Sequence, residues 1–253
     1  ENGRKMFFMN STTKGAMFLL GATLALGFAW SASMISNAMV RMRQQNLIRV
    51  KGVAEQKIKS NWASWRGEFW CKAAKLNEGY ELLSKSKDAV RAFLEAKEMK
   101  GDVFSFEPIN IEMEYQTDEK GHKTNFIQFY ILRQGIVLES ADVLKLDSIS
   151  KEITDLIKQG IELRSNPPNF VNTDIESIKI DLLGKATKNA YDRADILAKN
   201  SRGKVGALSS ASQGVFQITP VNSTDVSDSG NYDTSTIEKS VKAIVTLEFQ
   251  VEK

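Results

Sequence analysis

Trp62-Ala63-Ser64-Trp65-Arg66-Gly67-Glu68-Phe69-Trp70-Cys71-Lys72-Ala73 decides the fold. Ala63, Trp65, Phe69, Cys71 and Ala73 share one face at period two, and Ser64, Arg66, Glu68 and Lys72 share the other. Such alternation describes a strand half-buried against a core. Trp62 and Trp70 interrupt the polar side, so that face is read as partly covered, either by the chain itself or by another subunit. Upstream, Leu47 to Glu55 reads as a companion strand.

Downstream, Asn77 is positioned to cap a helix from Glu78 to about Lys100, with Tyr80, Leu83, Val90 and Leu94 on one stripe and Gly101 closing it. Ile109 to Gln116 alternates again, and after a turn containing Gly121 the run Phe126 to Leu138 is apolar on both faces, as a central antiparallel strand would be. A second helix ends at Gln159 before Gly160, and Ile161-Glu162-Leu163 is a short strand before Pro167-Pro168. Asp174 then opens a long helix through Leu182, Ala186, Ala190, Ala194 and Leu197, ended by Gly203. Its alanine stripe permits close packing on a sheet. Gly206 to Ile218 and Ser240 to Val251 read as the last strands, joined by a polar connection of about twenty residues. The order predicts an α+β body with antiparallel or mixed sheets and packed helices, over residues 47–253.

Ahead of this body, Gly15 to Val40 is a run of 26 residues without Asp, Glu, Lys, Arg or His. As a helix it would be about 39 Å long, more than the roughly 30 Å hydrocarbon core of a bilayer. Arg4, Lys5 and Lys14 precede it, and Arg41, Arg43, Arg49 and Lys51 follow. The run exceeds the h-region of a secretory signal and no clean Ala-x-Ala site follows, so residues 15–40 are read as an uncleaved single-pass anchor. Residues 1–14 become a short tail and 41–46 a juxtamembrane linker. Basic residues are nearly even on the two flanks; the shortness of the tail favours a cytoplasmic N-terminus with the body outside the cytoplasm. Gly21, Ala25, Ala29 and Ser33 repeat at four-residue spacing and form a candidate helix-packing row.

The charge balance, 34 basic against 31 acidic residues, leaves +3 and predicts no nucleic-acid partner. With one Cys and one His, neither an internal disulfide nor a Cys/His zinc site can be assembled, and His122 lies in the polar turn Asp118 to Thr124. There is no Gly-x-Ser-x-Gly. Gly184-Lys185 lacks the preceding glycine of a phosphate loop, has Ala186 in place of Ser/Thr, and falls inside a helix. No catalytic residue, metal ligand or cofactor is expected.

Val50 to Glu55, the helix Ala186-Thr187-Lys188-Asn189-Ala190-Tyr191-Asp192-Arg193-Ala194, Gly214 to Thr219, and Asp233-Thr234-Ser235-Thr236-Ile237-Glu238-Lys239 with the strand after it together resemble the SIMPL domain family over about Leu47 to Val251. The resemblance implies an extracytoplasmic bacterial protein of mixed α/β fold whose relatives include self-assembling rings, and it brings no catalytic residues; with the anchor, it implies a single-pass inner-membrane protein with its body on the periplasmic side. A retained anchor departs from the secreted members. The expected function is a membrane-anchored, non-enzymatic scaffold forming a homo-oligomer on membrane lipid; the alternative is a binding module for another envelope protein or peptidoglycan. Candidate subunit-interface residues are Trp62 and Trp70 on the strand, and Asn222, Asp225, Asp228, Tyr232 and Asp233 in the polar connection.

Overall fold

A computed structural model describes residues 11–43 and 46–252. The expected tail residues 1–10, with Arg4 and Lys5, and linker residues 44–45 lie outside the described residues. The first element, α1 (Ser11–Arg43), contains the stretch Leu19–Ser36, long and apolar enough to cross a membrane and with no part of it buried. Two hydroxyls inside that stretch are satisfied by the helix itself. Thr23 Oγ1 donates to the carbonyls of Leu19 and Leu20, and Ser31 Oγ donates to that of Gly27 at 2.9 Å. Polar groups must be satisfied internally in this way where lipid offers no partner.

After α1 come β1 (Leu47–Lys59), β2 (Trp62–Ala73), α2 (Leu76–Ala96), β3 (Phe104–Thr117), β4 (Lys123–Ser140) and α3 (Val143–Glu152), which runs into a 3-10 segment at Ile153–Gln159. Then follow β5 (Glu162–Ser165), β6 (Asn169–Val171), α4 (Ile175–Asn200), β7 (Lys204–Gln213), β8 (Gln217–Pro220), β9 (Asn231–Tyr232) and β10 (Glu238–Glu252). The fold is α+β, with four α-helices and two five-stranded sheets among the described residues. One sheet has the order β1-β10-β8-β9, with β7 also on β10; the other has the order β3-β4-β2-β5, with β6 also on β2. The chain divides into two compact units, and the division falls within β1, α4, β7 and β10.

The first unit takes its described residues from Glu1–Val50, Asp192–Ala211 and Leu247–Lys253. Here Arg49 pairs with Glu248 at 3.3 Å, and the Val251 N–H donates to the Asn46 carbonyl at 2.8 Å. The end of α4 differs from the sequence expectation. Arg202, not Gly203, takes the left-handed conformation (φ 59°), while the Gly203 N–H closes on the Ala198 carbonyl at 2.9 Å. Gly203 is small for another reason: a Cβ there would stand 2.7 Å from the Val251 side chain.

The second unit, Lys51–Tyr191 with Ser212–Thr246, holds the main core. Ala63, Trp65, Phe69, Cys71 and Ala73 are buried, as the alternation predicts. They face α2, through Leu83, Val90 and Leu94, and α3 with its 3-10 extension, through Leu146, Ile149, Ile153 and Leu156. Gly67 makes room for the Trp65 ring, since a Cβ would lie 2.4 Å from it. The Trp65 indole N–H donates to Ser165 Oγ at 2.9 Å, which in turn donates to the Ser150 carbonyl, so the buried ring has no orphan donor.

Several boundaries are corrected here. α2 begins after Lys75 without a side-chain cap, so Asn77 lies inside the helix, and it ends at Ala96 because Glu98 takes φ 58° and the Met99 N–H reaches the Leu94 carbonyl. Met99 is buried beneath that turn. Gly101 plays no part in it, whereas Gly160 (φ 85°) does cap the 3-10 segment. The strand expected over Gly206 to Ile218 is two strands, parted at Gly214, whose N–H bonds the Ile244 carbonyl at 2.9 Å. β4 is central, between β3 and β2, as its apolar run suggests. Its first residues, however, pair with β3 alone and leave Phe126 and Ile127 exposed.

Candidate interaction surface

Gly21, Ala25, Ala29 and Ser33 all lie in α1 and are exposed among the described residues. A Cβ on Gly21 would meet nothing within 4 Å. A row of small residues along an uncovered helix leaves a shallow path on which a second helix backbone can approach.

The polar side of β2 faces away from α2 and α3 and is tied up in ion pairs across the sheet. Arg66 pairs with Glu107 at 2.8 Å, Lys72 with Glu114 at 2.5 Å, and Arg133 with Glu112 at 3.4 Å. Glu68 holds both Arg164, at 3.3 Å, and Arg133, at 3.8 Å. Trp70 belongs to this lattice: its indole N–H donates to Glu162 Oε2 at 2.5 Å, and the Arg133 guanidinium lies 5.4 Å from its ring. The chain itself therefore supplies company for Trp70. Trp62, opposite Val171 of β6, is 36% exposed at the end of the same strand.

The polar connection after β8 is held in place by two buried side chains that composition does not single out. Gln217 reads the main chain of Ser227 as a neighbouring strand would, donating to its carbonyl at 2.7 Å and accepting from its N–H at 3.3 Å. Lys239, 2% exposed, donates from Nζ to Asp233 Oδ2 at 3.2 Å and to the Thr236 carbonyl. Asp233 also accepts from the Ser235 N–H at 2.9 Å, from the Ser235 hydroxyl at 2.7 Å and from the Thr236 hydroxyl. Burial alone would raise the Asp233 carboxyl, but the donors from Thr236, Ser235 and Lys239 outweigh it and hold the group at about 2. Burial pushes the Lys239 ammonium below its ordinary range, against the pull of Asp233.

The stretch Asp233 to Lys239 also joins elements within this unit. The Thr234 carbonyl accepts from the Phe170 N–H of β6 at 2.7 Å, and the Ile237 carbonyl accepts from the Ser60 N–H at 2.8 Å. Asp233 is thus an internal fastener, whereas Asn222 (φ 68°), Asp225, Asp228 and Tyr232 are exposed. Beside Tyr232 lies a cleft of about 490 Å³, whose lining includes Lys179, Gln213, Val215, Phe216 and Asn231. The Lys179 ammonium stands 5.7 Å from the Phe216 ring. Among the described residues no group of three or more His, Cys, Asp or Glu converges on a common point, and His122 is exposed beside Asp118 in the hairpin turn.

A family model described as "SIMPL: Protein of unknown function (DUF541)" matches residues 48–249. No curated protein matches the chain.

Proposed function

This chain belongs to the SIMPL family, and on that premise we propose that it is a membrane-anchored, non-enzymatic scaffold that self-assembles into a homo-oligomeric ring or cage at the bacterial cell envelope. The reading places residues 15–40 in the inner membrane, residues 1–14 in the cytoplasm and the body over residues 47–253 in the periplasm as one functional domain. The observation that carries it is the far end of the β3–β4 hairpin. From Glu114 to Phe129 these strands pair, among the described residues, with each other alone; Phe126 and Ile127 are exposed there at 70% and 36%, and Met113 just before it at 51%. A two-stranded ribbon is marginal in water on its own, and large apolar side chains exposed on both its faces are a feature of protein contacts. The small-residue row of α1, Trp62 and the ordered connection bearing Asn222, Asp225, Asp228 and Tyr232 offer further surfaces to neighbouring copies.

A second reading, a module that binds peptidoglycan or another envelope protein, is favoured by the cleft beside Tyr232. Its aromatic rings and the amides of Gln213 and Asn231 are groups that suit a sugar face and its hydroxyls. Crosslinking in intact cells separates the two. The scaffold reading expects a ladder of self-crosslinked species alone; a reproducible unrelated partner in place of the ladder would overturn it in favour of the second.

A further inference from the structure

In the sheet ordered β1-β10-β8-β9, the strand β7 is joined to β10 alone among the described residues. It is ten residues long, and every residue from Ala207 to Gln213 is exposed, so neither face of that stretch is covered. A strand in this position presents an unpaired row of main-chain N–H and C=O groups along its outer edge, a template for another strand. Edges are ordinarily blunted by charge, by proline or by cover. Val205-Gly206-Ala207-Leu208-Ser209-Ser210-Ala211-Ser212-Gln213 carries no charge and no proline.

The opposite edge of the sheet is treated differently. β1 carries Arg49, Lys51, Glu55, Lys57 and Lys59, and the N–H of Val53 is taken by Asn189 Oδ1 of α4 at 3.1 Å. One edge is closed and the other is left open.

We propose that two copies of this chain join along β7, antiparallel about a twofold axis at Ser209, so that their sheets continue as one. The inference rests on the homo-oligomer reading above and names one of its contacts. A second copy is the occupant that the residues fit. Pairing about Ser209 sets Leu208 opposite Ser210, Ala207 opposite Ala211 and Val205 opposite Gln213, with no charge facing a charge. The same operation on β1 about Val53 would set Arg49 against Lys57. Serine hydroxyls at 209, 210 and 212 can bond across such a pair.

The test uses the full chain in mild detergent. The native thiol gives little background, because Cys71 is buried, donates to the Gly79 carbonyl at 3.2 Å and is pushed up by burial. Under a mild oxidant Ser209→Cys is expected to convert to a disulfide-linked dimer, while wild type and Val53→Cys do not. Leu208→Lys with Ser210→Lys sets like charges opposite one another and is expected to lower the native mass at least twofold with the circular dichroism spectrum unchanged. Leu208→Lys with Ser210→Glu sets opposite charges together and keeps the wild-type mass.

If wild type assembles but Ser209→Cys does not crosslink, or if both charge pairs leave the mass alone, β7 is not the contact and the scaffold reading stands without it. Capture of a different protein at Ser209→Cys also overturns the second copy as occupant. A wild type that is monomeric overturns both.

Discussion

Asp233→Asn is expected to destabilise the body by about 3–5 kcal/mol, the usual cost of stripping one partner from a buried ion pair, because Lys239 would keep its burial and lose its carboxylate. For a protein of this size the unfolding midpoint falls by roughly 6–20 °C. Adding Lys239→Met to the same chain is expected to restore most of the loss, since an apolar residue needs no counter-charge there. The connection itself reports the change: with Asp233 neutral, limited proteolysis should begin between Asn222 and Tyr232 well below the unfolding midpoint. A midpoint within a degree of wild type would show that Asp233 does not fasten the loop. The pH dependence has a definite sign. The Asp233 carboxyl sits at about 2 when folded, against 3.8 ordinarily. Its contribution is complete above the ordinary value and disappears as pH falls from about 4 through 2. Asp233→Asn should flatten that part of the stability curve.

Gly52→Val is the second large effect. A Cβ at Gly52 would stand 2.0 Å from the Ala186 carbonyl oxygen and 2.7 Å from both the Cβ and the N of Ala190. These are backbone and first-carbon atoms of α4, which no rotamer change can move. Helix and strand must separate, at about 1–3 kcal/mol or more for overpacking of this kind. Gly184, on the same helix, has nothing within 4 Å of a would-be Cβ. Gly184→Ala should therefore act in the opposite direction, raising stability by about 0.5–1 kcal/mol through helix propensity. Thermal melts of the two variants should move apart; equal shifts would contradict the close approach of β1 and α4.

The alanine stripe that makes this approach possible was legible in sequence because four-residue spacing on a helix maps directly onto one face. Leu182, Ala186, Ala190 and Ala194 are all fully buried, and the stripe then continues through Ala198 rather than the expected Leu197, which is 50% exposed. The alternation of β2 and of β10 was legible for the same geometric reason, and Val241, Ala243, Val245, Leu247 and Phe249 are buried in turn. What escaped the sequence reading lacks a period. The three residues of β6 and two of β9 are too short to show one, and β6 follows directly on a proline pair. The left-handed residues that close α2 and α4 are Glu98 and Arg202, so glycine misdirected the reading by one to three positions.

The fastener of the connection was hidden for a different reason. Lysine and glutamine are ordinarily exposed, so nothing in a single sequence marks Lys239 and Gln217 as buried. Asp233 was read as an interface residue, but its own chain's donors turn it inward, whereas Asn222, Asp225, Asp228 and Tyr232 are exposed. Trp70 was legible as a break in a polar face; its cover is supplied by Glu162 and Arg133 of flanking strands, which period-two reasoning on one strand cannot see.

The measurement that tests the central proposal most directly is the native mass of the full chain extracted in mild detergent, taken with electron-microscope images of the same sample. The scaffold reading predicts one dominant mass at a fixed multiple of the 28.2 kDa protomer and closed rings or cages in the images. A monomer mass across the accessible concentration range, with no closed particles, would contradict it.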